Sequence, residues 1–344
     1  MVRKTSRPTT KRRRTKKILV IGVIALGTVA LLALIAFVGI NAQTFFQTLS
    51  ARPPAVDTKI VAPNESKAAL SAADPTGLSA DEAAAVTYLA EQPTAYWITP
   101  ELDPVDKVWD RIADLAVEAR EQDAALAVVI YGLPGRDCGN FSAGGLDPDA
   151  YVEWTDLIGQ ALRNAQDVQK IVILEPDSLA LAPECGNVAE RVEQLSGAVD
   201  RLAGIDTWIY LDGGHSDWVP AAQMADLLTQ VGVLDRVRGF ATNVSNYQTT
   251  SDEFAYAHEV ADLLGGDVHA IVDTSRNGAG PAGSDWCNPP GRLVGDPGGT
   301  YGDGVVDTNL WIKPPGESDG TCNGGPAAGV WWPDGAVELT REAR

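Results

Sequence analysis

The sequence predicts an α/β chain: a parallel barrel of TIM-like type preceded by a single transmembrane helix. Two observations carry that reading. Short β-branched or aromatic runs alternate with longer amphipathic stretches over about 265 residues, as strands and covering helices do in a parallel sheet. Ahead of them, residues 18–40 form a run of 23 without a charge. At about 1.5 Å per residue such a helix crosses a hydrocarbon core of roughly 30 Å.

The N-terminus comes first. Residues 1–17 hold nine basic side chains and no acid, which leaves 18 of the 27 basic residues against all 46 acids, a net −28 over the remainder. Basic flanks stay on the cytoplasmic side, so everything after Asn41 is expected outside. A cleaved signal peptide is the competing reading. Its apolar region runs only about 7–15 residues, and Ile40-Asn41-Ala42 makes a weak cleavage site. Either way the body is extracytoplasmic. A body this acidic repels phosphate, so nucleic acid is excluded as a partner.

Residues 41–79 read as a linker, because Arg52-Pro53-Pro54, Ala62-Pro63-Asn64 and Asp74-Pro75-Thr76-Gly77 break long elements. Ser79 and Glu82 form a capping box that opens an Ala-rich helix ending near Glu91. The domain is thus expected over 80–344. Strands are predicted at 95–98, 127–133, 171–174, 208–211, 239–241, 270–272 and 310–312. Helices are predicted at 104–122, 149–165, 187–203, 219–231 and 252–264, and 277–305 is irregular. The length favours a barrel over an open sheet.

Cys138, Cys185, Cys287 and Cys322 all lie in the outside segment, where disulfides persist. Of the three pairings open to four cysteines, the sequential one closes two medium loops and is preferred. No CxxC occurs, and His215, His258 and His269 have no metal-ligand spacing, so neither a metal nor another cofactor is expected.

The later strands run into polar loops: Tyr131 to Asp137, Glu175-Pro-Asp177-Ser178, Asp212-Gly-Gly-His215, Asn243-Val-Ser-Asn246, Asp273 to Asn277, and Lys313 to Asp319. In a parallel barrel all strand C-termini open on one face, so these loops share a cleft. Several carboxylates without a metal set suit general acid and base catalysis. Crowding and burial keep one protonated while another stays ionised. Taken alone, each carboxylate reads as a helix cap or a loop salt bridge. Trp97, Trp218 and Trp286 sit beside the clusters and offer flat faces to a sugar ring; alone, each is as well explained as rim filling.

Two further motifs fail on context. Gly316-Glu-Ser318-Asp-Gly320 fits a nucleophile elbow, but no histidine follows it. Gly278-Ala-Gly280-Pro-Ala-Gly283 fits a dinucleotide loop, but Pro289-Pro290-Gly291 cannot open the helix it requires.

Seven motifs in order resemble the family-six glycoside hydrolases, which include endoglucanases and cellobiohydrolases. They are Tyr131 to Cys138, Leu174-Glu-Pro-Asp177-Ser178, Tyr210-Leu-Asp212-Gly-Gly-His215, Ala241 to Tyr247, Asp273 to Gly278, Asp285-Trp286-Cys287-Asn288-Pro289 and Trp311 to Gly320. The resemblance implies a distorted parallel barrel and inverting hydrolysis of β-1,4-glucan. It implies that Asp177 is the general acid, that Asp137 keeps Asp177 protonated, and that Asp319 is the candidate base. Tyr131 then crowds the distorted sugar, and Asp212 supports the site. Trp97, Trp218 and Trp286 match sugar-stacking positions, and His215, Asn243, Lys313 and Glu317 match residues that hydrogen-bond the glucan. The cysteine pairing agrees with the sequential one. Gly132 and Gly135 depart from polar residues in the family, which puts the hold on the Asp137 loop in question. The stretch between Cys287 and Cys322 lacks long insertions, so an open cleft and endo cleavage are expected, with cellobiohydrolase action or hydrolysis of another β-glucan as the alternative. A glucan-binding protein without turnover is the rival class, and a monomer is expected.

Overall fold

The computed structural model describes Met1 and residues 51–139 and 144–344. The chain divides into two units, Met1–Ala51 and Arg52–Arg344, and the described elements all belong to the second. The predicted basic end and anchor, 2–17 and 18–40, lie outside the described residues. Among the described residues no helix is long and apolar enough to cross a membrane.

Seven parallel strands lie side by side in chain order: β1 (Tyr96–Ile98), β2 (Leu126–Ile130), β3 (Lys170–Leu174), β4 (Thr207–Asp212), β5 (Gly239–Thr242), β6 (His269–Asp273) and β7 (Val306–Leu310). The apolar runs of β2 and β3 are nearly continuous because both faces are covered. Successive side chains point to opposite faces. Val128, Ile130, Val172, Leu174, Ile209 and Leu211 therefore pack under the helices. Val129, Ile171, Ile173, Tyr210 and Ile271, one residue out of phase, fill a second core inside the curl.

The outer layer is α1 (Lys67–Ala73), α2 (Ala80–Ala90), α3 (Val108–Gln122), α4 (Pro148–Asn164), α5 (Ser178–Cys185), α6 (Val188–Leu202), α7 (Ala221–Val231), α8 (Thr250–Leu264) and α9 (Pro333–Thr340). In α3 the buried Val108, Ile112, Leu115, Ala116 and Ala119 form one helical stripe. The capping box of α2 is present as predicted, with Ser79 and Glu82 each satisfying the other's backbone N–H.

Three expectations change. The barrel does not close by a ladder: β1, only three residues long, meets the far edge through one backbone hydrogen bond, Ala95 N–H to Trp311 O at 2.9 Å. The fold is a curled seven-stranded parallel sheet. Its last strand, expected at 310–312, lies upstream at Val306–Leu310. Finally, the second half of the expected linker packs as part of the body. Ile60 and Val61 are 3% and 1% exposed, and Ile60 bridges Ala125 in parallel. The prolines there end short elements without keeping the chain off the domain.

Candidate active site

The C-terminal ends of β2, β3, β4, β6 and β7 bring most of the expected residues together. Asp177 follows β3 and holds a left-handed backbone, φ +67°. It occupies the N-cap position of α5, yet its carboxylate makes no capping hydrogen bond. Left-handed geometry at a non-glycine costs about 1–2 kcal/mol and points to a constraint other than local stability. The Asp177 N–H donates to Asp212 Oδ2 at 2.9 Å, and the Gly214 N–H donates to the same oxygen at 3.2 Å. Burial, then the charges of Asp212 and Asp137, pushes the Asp177 carboxyl well above the usual carboxylate range. Burial pushes Asp212 up to about 7.

Asp137 lies in the turn after β2, also left-handed at φ +54°. Tyr131 Oη donates to Asp137 Oδ2, and the Arg136 guanidinium lies 4.2 Å from the Tyr131 ring centre. Burial, with Asp137 and Asp177 nearby, raises the Tyr131 hydroxyl and keeps it a donor. The loop is gripped from two sides. Glu175 accepts the N–H groups of Gly132 and Leu133 at 3.1 Å, and Arg191 donates to Pro134 O and Gly135 O at 2.6 and 2.7 Å. A Cβ at Gly132 would stand 2.7 Å from the Trp154 ring, so glycine is required where that indole fills the space. The Cys138–Cys185 disulfide ties the turn to the end of α5. The second bond, Cys287–Cys322, completes the expected pairing.

Asp319 stands in a different electrostatic setting. Arg276 Nη1 lies 2.8 and 2.9 Å from its two oxygens, and Lys313 Nζ is at 3.5 Å. Tyr247 Oη and the Asn288 N–H each donate to it at 3.1 Å. Burial alone would raise Asp319, but Arg276 and Lys313 outweigh it and hold the carboxyl below its ordinary value. Lys313 Nζ also lies 5.8 Å from the Trp97 ring centre, and Trp97 meets Tyr131 edge-on at 5.2 Å. Contacts thus run unbroken from Asp137 through Tyr131, Trp97 and Lys313 to Asp319.

His215 and Trp218 form a second patch on the β4–α7 loop, with ring centres 5.6 Å apart. Burial lowers His215 to about 4, so the ring is neutral. Trp286 is 46% exposed beside Cys287. Two expected glucan contacts are engaged elsewhere. Asn243 is fully buried, and its amide donates to Asp273 O and Gln248 O and accepts the Gln248 N–H. Its role in this structure is to shape the β5 loop. Glu317 pairs with Lys67 of α1 at 2.9 Å.

Arg276, the principal counter-ion of Asp319, is not among the expected site residues. The signal was its place in the polar run that follows β6. Asp273 reads in the sequence as a strand end. It accepts the N–H groups of Ser245, Ser275, Ile312 and Lys313, joining the loops after β5, β6 and β7.

A curled parallel sheet that gathers protonated and ionised carboxylates at one end defines an acid–base catalytic architecture. Residues 55–343 match the profile of glycosyl hydrolases family 6, and the chain belongs to that family. It is 40% identical over 267 residues to Endoglucanase A of Cellulomonas fimi, covering 77% of this chain and 58% of that one. Against Endoglucanase 1 of Streptomyces sp. (strain KSM-9) it is 43% identical over 258 residues, 73% of this chain and 70% of the relative. The chain therefore spans 58% and 70% of these two relatives' lengths. Its structure superposes on the endoglucanase Cel6 from Mycobacterium tuberculosis, solved with methyl-cellobiosyl-4-deoxy-4-thio-β-D-cellobioside, with a TM-score of 0.75 and 37% identity. That match covers 83% of this chain and 97% of the other. The cellobiohydrolase Cel6A core from Chaetomium thermophilum gives 0.72 and 28%, over 82% and 96%.

Proposed function

We propose that the domain hydrolyses β-1,4-glucosidic bonds of a cellulose-like glucan with inversion, cutting within chains. The observation that carries this is the split between Asp177 and Asp319, one carboxyl held above its usual range and the other below it in one site. Inverting cleavage uses such a pair. Asp177 donates its proton to the leaving oxygen. Water attacks the anomeric carbon from the opposite face, and Asp319 takes up the proton that the water releases. The charges of Asp137 and Asp212 keep Asp177 protonated between turnovers, and Asp137 faces the positive charge that develops on the sugar ring. Tyr131 crowds the sugar at the cleavage point, while Trp97, Trp218 and Trp286 supply stacking faces with Lys313 and His215 beside them.

Endo action is favoured by the short stretch between Cys287 and Cys322 and by the endoglucanase names of the relatives above. Retention of Asp137, Asp177 and Asp319 favours turnover over a binding-only role. The basic segment 1–17 and the apolar run 18–40 support tethering to the cell membrane with the domain outside, and the two disulfides fit that compartment. The test follows viscosity and reducing ends on soluble carboxymethyl-cellulose, with the Asp177→Ala variant alongside. A steep viscosity loss with few new ends, absent in the variant, is the expected result. Reducing ends rising in step with viscosity loss would instead establish exo action. Folded protein giving neither signal would overturn the substrate assignment.

A further inference from the structure

We infer that Glu253 and Tyr256, one turn apart on α8, are positioning residues that hold the His215–Trp218 loop in its glucan-facing shape. The inference rests on the reading of that loop as a substrate surface. The loop between β4 and α7 has no regular structure of its own, and three of its backbone groups turn inward to α8. The Ser216 N–H donates to Glu253 Oε1 at 2.9 Å. Tyr256 Oη lies 3.2 Å from Gly213 O and 2.9 Å from Val219 O. Residues three apart on a helix share a face, so the acceptor and the hydroxyl are presented together. They meet the start, the middle and the end of the loop.

Apart from the Ser216 bond, Glu253 meets the Thr242 side chain at the end of β5 through its carboxyl. It is fully buried, and burial pushes its carboxyl up to about 7. It does not cap its own helix. Thr249 does that, accepting the Asp252 N–H at 3.2 Å. It also stands near a second buried carboxylate, since its charge contributes to raising Asp212. A buried carboxylate beside another is costly unless its hydrogen bonds are needed. The loop turns at Gly214, left-handed at φ +66° and close under Trp218, and the bonds to Tyr256 and Glu253 flank that turn at Gly213 and Ser216.

The test uses the whole chain with three variants. Glu253→Leu removes the acceptor, Tyr256→Phe keeps the ring and removes the hydroxyl, and Glu253→Gln keeps an acceptor oxygen. Loss of one such hydrogen bond is expected to raise KM for soluble cello-oligosaccharide about fivefold in the first two, with kcat within about twofold. Amide exchange over 213–219 should speed up in both, and Glu253→Gln should return both readouts close to the parent. Unchanged exchange in the folded Leu and Phe variants would overturn the clamp. A parallel Trp218→Ala variant tests the underlying reading. If its KM equals the parent's while exchange in the clamp variants is raised, the loop is held by α8 but does not meet glucan, and the substrate reading of the loop falls. Equal losses in kcat and kcat/KM with unchanged KM would place the effect on Asp212 and Asp177 and overturn the inference.

Discussion

Two aspartates of the same site show how far surroundings determine chemistry. Asp177 faces Asp212 and Asp137, and burial with those charges holds its proton on. Asp319 is just as enclosed, but Arg276 and Lys313 face it and hold its proton off. Chain position does not distinguish them, since both follow strands and both lie in polar loops. The difference is the sign of the dominant neighbouring charge, and the proposed division into acid and base rests on it.

The largest effect expected from breaking this contrast is at Asp177 itself. Asp177→Asn keeps the shape and loses the donated proton, so kcat on unactivated glucan should fall by about a thousandfold. A fluoride leaving group needs no protonation, and the variant should recover most of its rate on such a substrate. Equal loss on both substrates would sink the acid assignment.

Next comes the counter-ion. Arg276→Met leaves Asp319 with burial and only Lys313 against it, so its pKa rises. The acidic limb of the kcat/KM profile should move to higher pH, and kcat should drop about a hundredfold as the ion pair that places the carboxylate is lost. An unmoved acidic limb would show that Asp319 is not the group titrating there.

That Arg276 had to be found in the structure shows where sequence reading stops. Strands β1 to β6 were legible because their β-branched runs are interrupted by amphipathic helices, and the Ser79 capping box set the start of α2. Strand β7 was not. Its Asp307, Thr308 and Asn309 are buried polar residues whose partners come from distant elements: Asp307 binds Arg238 and Tyr210, and Asn309 binds Thr274. Polar side chains in a strand read as loop until those partners are visible. The same holds for Asn243, which looked like a ligand-facing amide and is spent on its own loop. The carboxylates were legible because β-strand periodicity and polar strand ends are local signals. The principal counter-ion that sorts them, Arg276, lies in the loop after a different strand from Asp319.

Acid pKa values raised by burial also bear on stability. Glu175, Asp212 and Glu253 each rise to about 7 from ordinary values of 4.5, 3.8 and 4.5. The folded state then binds protons that the unfolded chain has released. Its contribution is complete below the unfolded values and is lost as pH rises through about 7. The domain should melt several degrees higher at pH 5 than at pH 8 by calorimetry. Equal or reversed midpoints would mean that these carboxyls are not protonated in the folded state. Asp319 acts in the opposite sense, but only as pH falls below its ordinary 3.8.

The smallest effect sharpens the comparison most. Asp212→Asn removes one like charge from beside Asp177, while the amide oxygen can still accept the Asp177 N–H. With Asp212 at about 7, its charge grows through neutrality, where it opposes the ionisation of Asp177. Without that charge Asp177 gives up its proton at lower pH. The alkaline limb of kcat/KM should therefore move down, by less than about one unit because burial and Asp137 remain. The acidic limb, which the proposed mechanism gives to Asp319, should stay in place. Movement of both limbs together would mean that the two carboxylates titrate as one coupled system and that the division between them is not set by their separate neighbours.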